Sequence, residues 1–256
     1  MTGLAPAPAR VGVASAAGRI WRVNRLHAVN PWPSLILPWL ITGVIFGLTY
    51  AIWRLVASVA GGLENIDDNA FQYGGGASWI LFYMMVVAVQ AMNQTFRFAL
   101  GFSVTRRDYY LGTALHFALV SVMYAAGFTA LAAVEQATSG WGIDGAFFAP
   151  GFFADLPFAQ VAYVYLMLFL LFSSLGAAMA TVYVRWKSAG MLVVFGVLGA
   201  GIVAALWLIT VAHGWAPVGR FFTTNSIPVI ASWSLVVSGL SCTVGYGLLR
   251  RATPGE

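Results

Sequence analysis

Charge is scarce in this chain. Only 8% of its 256 residues are Asp, Glu, Lys or Arg, while 60% are hydrophobic; an ordinary soluble domain is about a quarter charged. So few charges cannot cover a globular surface, and lipid must be part of the solvent. Lysine is nearly missing. Lys187, the only one, follows Trp186 with no glycine frame before it, so the phosphate-cradling pattern G-x-x-x-x-G-K-[ST] cannot be built and no ATP is expected to bind this chain in a Walker site. Cysteine is limited to Cys242, inside an apolar stretch. That excludes an intrachain disulfide and a cysteine metal cluster, and leaves helix packing as its role. The three histidines, His27, His116 and His213, fall in a tail, an inner helix end and an outer loop, which is not metal-ligand spacing. No G-x-S-x-G nucleophile elbow forms around Ser241, because Thr243 stands where the second glycine belongs. Carboxylates are missing from membrane depth as well. The nearest, Glu135, is expected at an outer helix end within reach of water, which disfavours a proton-driven secondary carrier, although backbone carbonyls could still bind sodium.

What the chain does have is apolar length. A bilayer crossing takes roughly 20 apolar residues, and six stretches qualify, at about 35–59, 77–101, 111–136, 158–184, 189–212 and 228–249. The expected fold is therefore an all-α membrane protein with six transmembrane helices, forming one membrane domain over 34–251. Nothing of soluble-domain size lies between them. Orientation follows from the retention of Lys and Arg on the cytoplasmic side. Placing both termini in the cytoplasm puts Arg10, Arg19, Arg22, Arg25, Arg97, Arg106, Arg107, Arg185, Lys187, Arg250 and Arg251 inside, and leaves Arg54 and Arg220 outside. Glu64, Asp67, Asp68, Glu135, Asp144 and Asp155 sort the other way. The net charge of +5 is thus a topology signal and does not argue for nucleic acid. Residues 1–17, rich in Ala and Pro, are expected to be a disordered cytoplasmic tail without a cleavable signal. Residues 18–33 carry arginines every third position beside Ile20, Trp21, Val23 and Leu26, as an interfacial helix would, and Pro31 and Pro33 end it. Residues 252–256 are expected to be a second cytoplasmic tail. Phe147, Phe148, Phe152 and Phe153 in an outer loop suggest contact with the outer headgroups.

Inside the second stretch, Gln90, Asn93, Gln94 and Arg97 follow i, i+3, i+4, i+7 spacing, and Tyr83 and Gly101 continue the same face. At 3.6 residues per turn the four project within an arc of about 100°. Facing lipid would be costly, since a charged residue at a helix centre costs roughly 2.5 to 3.5 kcal/mol. Two readings stay open. The amides bond neighbouring helices, with Arg97 snorkelling to the headgroups, or the stripe lines a translocation pathway or a subunit seam.

The loop between the second and third stretches reads Val104, Thr105, Arg106, Arg107, Asp108, Tyr109, Tyr110, Leu111, Gly112. Thr105 and Asp108 have the spacing of an N-cap and N3, so a short cytoplasmic helix is expected here. Tyr109 and Tyr110 would then sit at headgroup depth. A retention signal with interfacial aromatics accounts for the same letters. The segment also resembles the first intracellular loop of the ABC-2 type ABC transporter permeases, where a Val-Thr or Val-Ser pair, two arginines, aromatic or aliphatic residues and a glycine introduce the third span. A basic N-terminal stretch along the inner leaflet, six spans, cytoplasmic ends and a looped connection before the last span, here 213–227, add to the resemblance. The family's glutamate followed by Gly-Thr is replaced here by Arg97, Phe98, Ala99, Leu100 and Gly101. The resemblance implies that Val104 to Tyr110 is a coupling helix that meets a separate ATPase subunit, and that Gln90 to Arg97 lies near the central cavity. It implies a non-enzymatic permease subunit of an exporter in the plasma membrane. The chain would bind no cofactor, ATP and magnesium would sit in the partner subunit, and a second permease copy or homologous permease would complete the pathway. A non-transport scaffold or assembly protein and a secondary transporter are the alternatives.

Overall fold

The computed structural model describes residues 15–101 and 104–251, apart from the side chains of Asn93, Gln94, Arg97, Leu100 and Arg251. Both expected tails therefore fall largely outside the described residues. Every element among those described is helical and no strand is present. The α-helices are α1 (Ala16–Ala28), α2 (Leu37–Val59), α3 (Trp79–Gly101), α4 (Arg106–Ala137), α5 (Phe158–Val211), α6 (Trp215–Thr224), α7 (Ile227–Ser232) and α8 (Ser234–Arg251). Among the described residues four helical stretches are long and apolar enough to cross a membrane: Trp32–Val59, Arg106–Ala137, Phe158–Val211 and Ile227–Arg250. Their outward side chains suit lipid better than water. Leu192 is 76% exposed and Trp207 68% exposed, and each large apolar side chain left in water forgoes about 2 kcal/mol of burial.

Local chemistry sets the boundaries. Ser15 opens α1 by accepting a bond from the Gly18 amide at 3.2 Å. α1 ends just before Pro31, and a wide helical turn over Trp32–Ile36 carries the chain into α2. α5 is too long for one crossing. Its 54 residues contain one break, at Lys187, with φ 55° and ψ −146°, a backbone region that side chains other than glycine enter only with strain. A Cβ added at Gly190 would lie 3.4 Å from Cγ1 of Val182, eight residues back. A straight helix would separate such positions by about 12 Å, so the chain doubles back here.

α4 is the central pillar. It packs against α1 and the first segment of α5, and Trp39 at the start of α2 stacks on its Tyr124 with ring centroids 5.2 Å apart. Gly127 makes room for that indole ring, which a Cβ would approach to 2.6 Å. α3 and α5 touch closely at Gly176, whose missing side chain admits the Met85 backbone. α8 returns along the first segment of α5, with Ser232, just ahead of it, bonded to Tyr163 at 2.8 Å. The second segment of α5 stands apart. A Cβ at Gly196, Gly199 or Gly201 would meet nothing within 4 Å.

This packing sorts charge to opposite ends. α1, the close of α3, the start of α4 and the close of α8 meet at one end, where Arg19 pairs with Asp108 and Arg106 reaches the Arg250 carbonyl. The Lys187 turn belongs to the same end, because Ala180 and Val184 pack with Val104 and Leu249. At the other end Gln72 donates to the Asp144 carbonyl at 2.7 Å, and Asp67, Asp68 and Asp144 border one small pocket.

Candidate functional site

The start of α4 ties three helices together within about two turns. Thr105 is its N-cap, with extended φ −68° and ψ 148°, and its hydroxyl accepts a bond from the Asp108 amide at 3.1 Å. That satisfies one of the four orphan donors of a helix start. No separate short helix precedes the span. Arg106 to Tyr110 are the first residues of the 32-residue α4, because the cap leads directly into continuous helical periodicity. At 1.5 Å per residue α4 is about 48 Å long, well beyond a hydrocarbon core of about 30 Å, so its first turns need not be in lipid.

Four of the five residues after the cap are anchored to other helices. The Arg106 guanidinium donates to the Arg250 carbonyl at 2.9 Å, placing a cation at the close of α8, where the helix dipole favours it. Arg107 is exposed. Asp108 is buried and accepts from Nε of Arg19 at 2.7 Å, an ion pair between α1 and α4. Tyr109 donates to the Ala91 carbonyl at 3.0 Å and shares a 2.6 Å bond with the Thr95 hydroxyl, both on α3. Tyr110 donates to the Cys242 carbonyl on α8 at 2.7 Å. The two tyrosines are thus buried between helices and are not exposed interfacial aromatics. Carbonyls in adjacent helices supply the acceptors that water would otherwise provide.

One turn further on, α1 and α4 share a buried polar cluster. The Thr113 hydroxyl donates to the Tyr109 carbonyl and so accepts from Nε2 of His27 at 2.9 Å. Nδ1 of His116 donates to Oδ1 of Asn24 at 3.3 Å, and the two imidazoles lie 5.2 Å apart. The histidines are therefore not all scattered as expected, since α1 folds back on α4 and brings His27 onto His116. His27 lies outside the crossing segments. Burial, and secondarily the neighbouring His116, lowers its pKa to about 4 from an ordinary 6.5. A helix that buries Asn24 and His27 against α4 is held by protein contacts.

The polar stripe is described only in part. Tyr83 donates to the Pro33 carbonyl at 3.0 Å, which anchors the turn before α2. Gln90 is exposed and borders a cavity of about 180 Å³ with His27, Ser34, Thr95 and His116. The Ser34 hydroxyl there is buried and has no hydrogen-bond partner among the described residues. The side chains of Asn93, Gln94 and Arg97 lie outside the described residues.

At the acidic end two expectations are corrected. Glu135 is buried and not washed by water. Its carboxylate accepts from the amides of Phe147, Phe148 and Ala149 and from Nε1 of Trp141 at 2.7 Å, so the following loop folds over it as a lid. That fold turns Phe147, Phe148 and Phe153 into the core, and of the four phenylalanines only Phe152 stays exposed. The cause is the acid's need for donors once desolvated.

Comparisons with protein-family models, with curated proteins and with solved structures give no match.

Proposed function

We propose that the chain is the transmembrane permease subunit of an ATP-driven exporter, with the segment from Val104 to Tyr110 receiving force from a separate ATPase subunit. The observation that carries this reading is the mechanical wiring of that segment. Arg107 is free to meet a partner in the surrounding water, while Arg106, Asp108, Tyr109 and Tyr110 hold α8, α1 and α3. A push on such a turn reaches four helices at once. In this reading α5 supplies two crossings around Lys187, making six with α2, α3, α4 and the α7–α8 pair, and the basic end faces the cytoplasm of the plasma membrane. ATP and magnesium belong to the ATPase subunit, and a second permease copy or a homologous permease completes the pathway.

The test uses the chain copurified with its untagged partners. The reading expects an ATPase to come with it and the chain freed of partners to hydrolyse no ATP. Arg107→Ala should leave the complex assembled while export falls at least about tenfold at nearly unchanged ATP hydrolysis, a loss of over about 1.4 kcal/mol in coupling. Hydrolysis by the isolated chain, or full export by the variant, would overturn it.

A further inference from the structure

A cavity of about 390 Å³ opens at the basic end between α1, the close of α3 and the start of α4. Arg19, Arg22 and Thr105 supply its polar wall, and Val23, Leu26 and Phe98 its apolar one. Asp108 also borders it but is already matched by Arg19. Arg22 makes no ion pair among the described residues, so the cavity keeps one positive charge in excess. Arg107 lies close enough to act electrostatically on Asp108, which adds to the positive field at this mouth. A mostly apolar pocket with two arginines at its edge, at the basic end of helices apolar enough to cross a membrane, matches a molecule with an anionic head and an apolar tail.

We propose that this cavity binds an anionic phospholipid of the leaflet at the basic end. The phosphodiester would accept from Arg22 and the Thr105 hydroxyl, and an acyl chain would lie along Leu26 and Phe98. The pairing is specific in charge and shape. A zwitterionic lipid carries its own cation into the arginine field, and a free phosphate leaves the apolar wall uncovered. The site also has a structural consequence, since its three walls belong to the elements that α4 ties together. The inference goes beyond the transport reading and stands without it, because it requires only that these helices sit in a bilayer.

The experiment uses the full chain in nanodiscs of equal parts phosphatidylglycerol and phosphatidylcholine, followed by counting the lipids retained on gentle delipidation by native mass spectrometry. Phosphatidylglycerol should be retained about fivefold over phosphatidylcholine, the ratio expected from a single arginine near a membrane surface. Arg22→Gln should abolish that preference, Arg22→Lys should keep most of it, and Arg220→Gln at the opposite end should leave it intact. A photoreactive phosphatidylglycerol should crosslink within 22–26 or near Val104 in the unmodified protein, a readout that holds even if a variant folds poorly. Equal retention of the two lipids, an unchanged preference in Arg22→Gln, or crosslinks confined to other helices would overturn the proposal. So would displacement of the lipid by millimolar inorganic phosphate, which would assign the cavity to a free anion.

Discussion

His27 is held neutral by its surroundings, and that makes the α1–α4 contact sensitive to acid. Its pKa in the folded chain is about 4, against 6.5 for an exposed imidazole. Between those values the unfolded or undocked state takes up a proton that the folded state refuses, so the contact is fully stable above about pH 6.5 and weakens as pH falls toward 4. The largest loss is on the order of 3 kcal/mol. Thr113, His116 and Tyr109 meet the ring, Asn24 bonds His116 beside it, and none of the four carries a negative charge that could stabilise an imidazolium. Thermal melting of the purified chain should therefore show a midpoint that drops across this window. In His27→Gln, which cannot take up the proton, the drop should shrink; an unchanged pH profile would sink the assignment. Nothing near His27 in sequence announces this. Its partners lie 86 and 89 residues away, at Thr113 and His116, and local spacing carries no information about them. The Thr105 cap was legible for the opposite reason, since donor and acceptor stand three residues apart.

At the scale of elements, the glycine in the Val104–Gly112 segment has a packing role. An added Cβ at Gly112 would come within 2.5 Å of Cβ of Val23 and 2.7 Å of the Ile20 carbonyl. Neither atom is the far end of a flexible side chain, so α1 would have to move off α4. Gly112→Ala should destabilise the chain by about 1 to 3 kcal/mol, read as a lower melting midpoint and faster proteolysis of α1. Gly196→Ala, where a Cβ meets nothing within 4 Å, should be silent in the same assays. Helix content was legible from the apolar runs, because lipid demands that backbone groups bond within their own segment. The fold of the outer loop was not. Phe147 and Phe148 read as interfacial anchors until Glu135, 12 and 13 residues before them, is seen to accept their amides. A buried carboxylate organises its loop through backbone donors, and backbone donors leave no mark in the letters.

At the scale of the whole molecule, the separation of charge gives the chain a polarity that can be tested without knowing any substrate. Arg107 at one end and Asp68 at the other are both exposed, and so is Thr224 beyond the second segment of α5. If the basic end faces the cytoplasm, Asp68→Cys should react with a membrane-impermeant maleimide in intact cells, whereas Arg107→Cys should react only after permeabilisation, each in a background where Cys242 is replaced by alanine. Thr224→Cys decides the number of crossings. With α5 reversing at Lys187 and crossing twice, Thr224 returns to the side of Asp68, and the two positions should label together. Labelling of Thr224→Cys with Arg107→Cys would mean that the segment after Lys187 does not cross. In that case the exposed glycines of this segment would need an explanation other than lipid, and the six-crossing reading would fail with them.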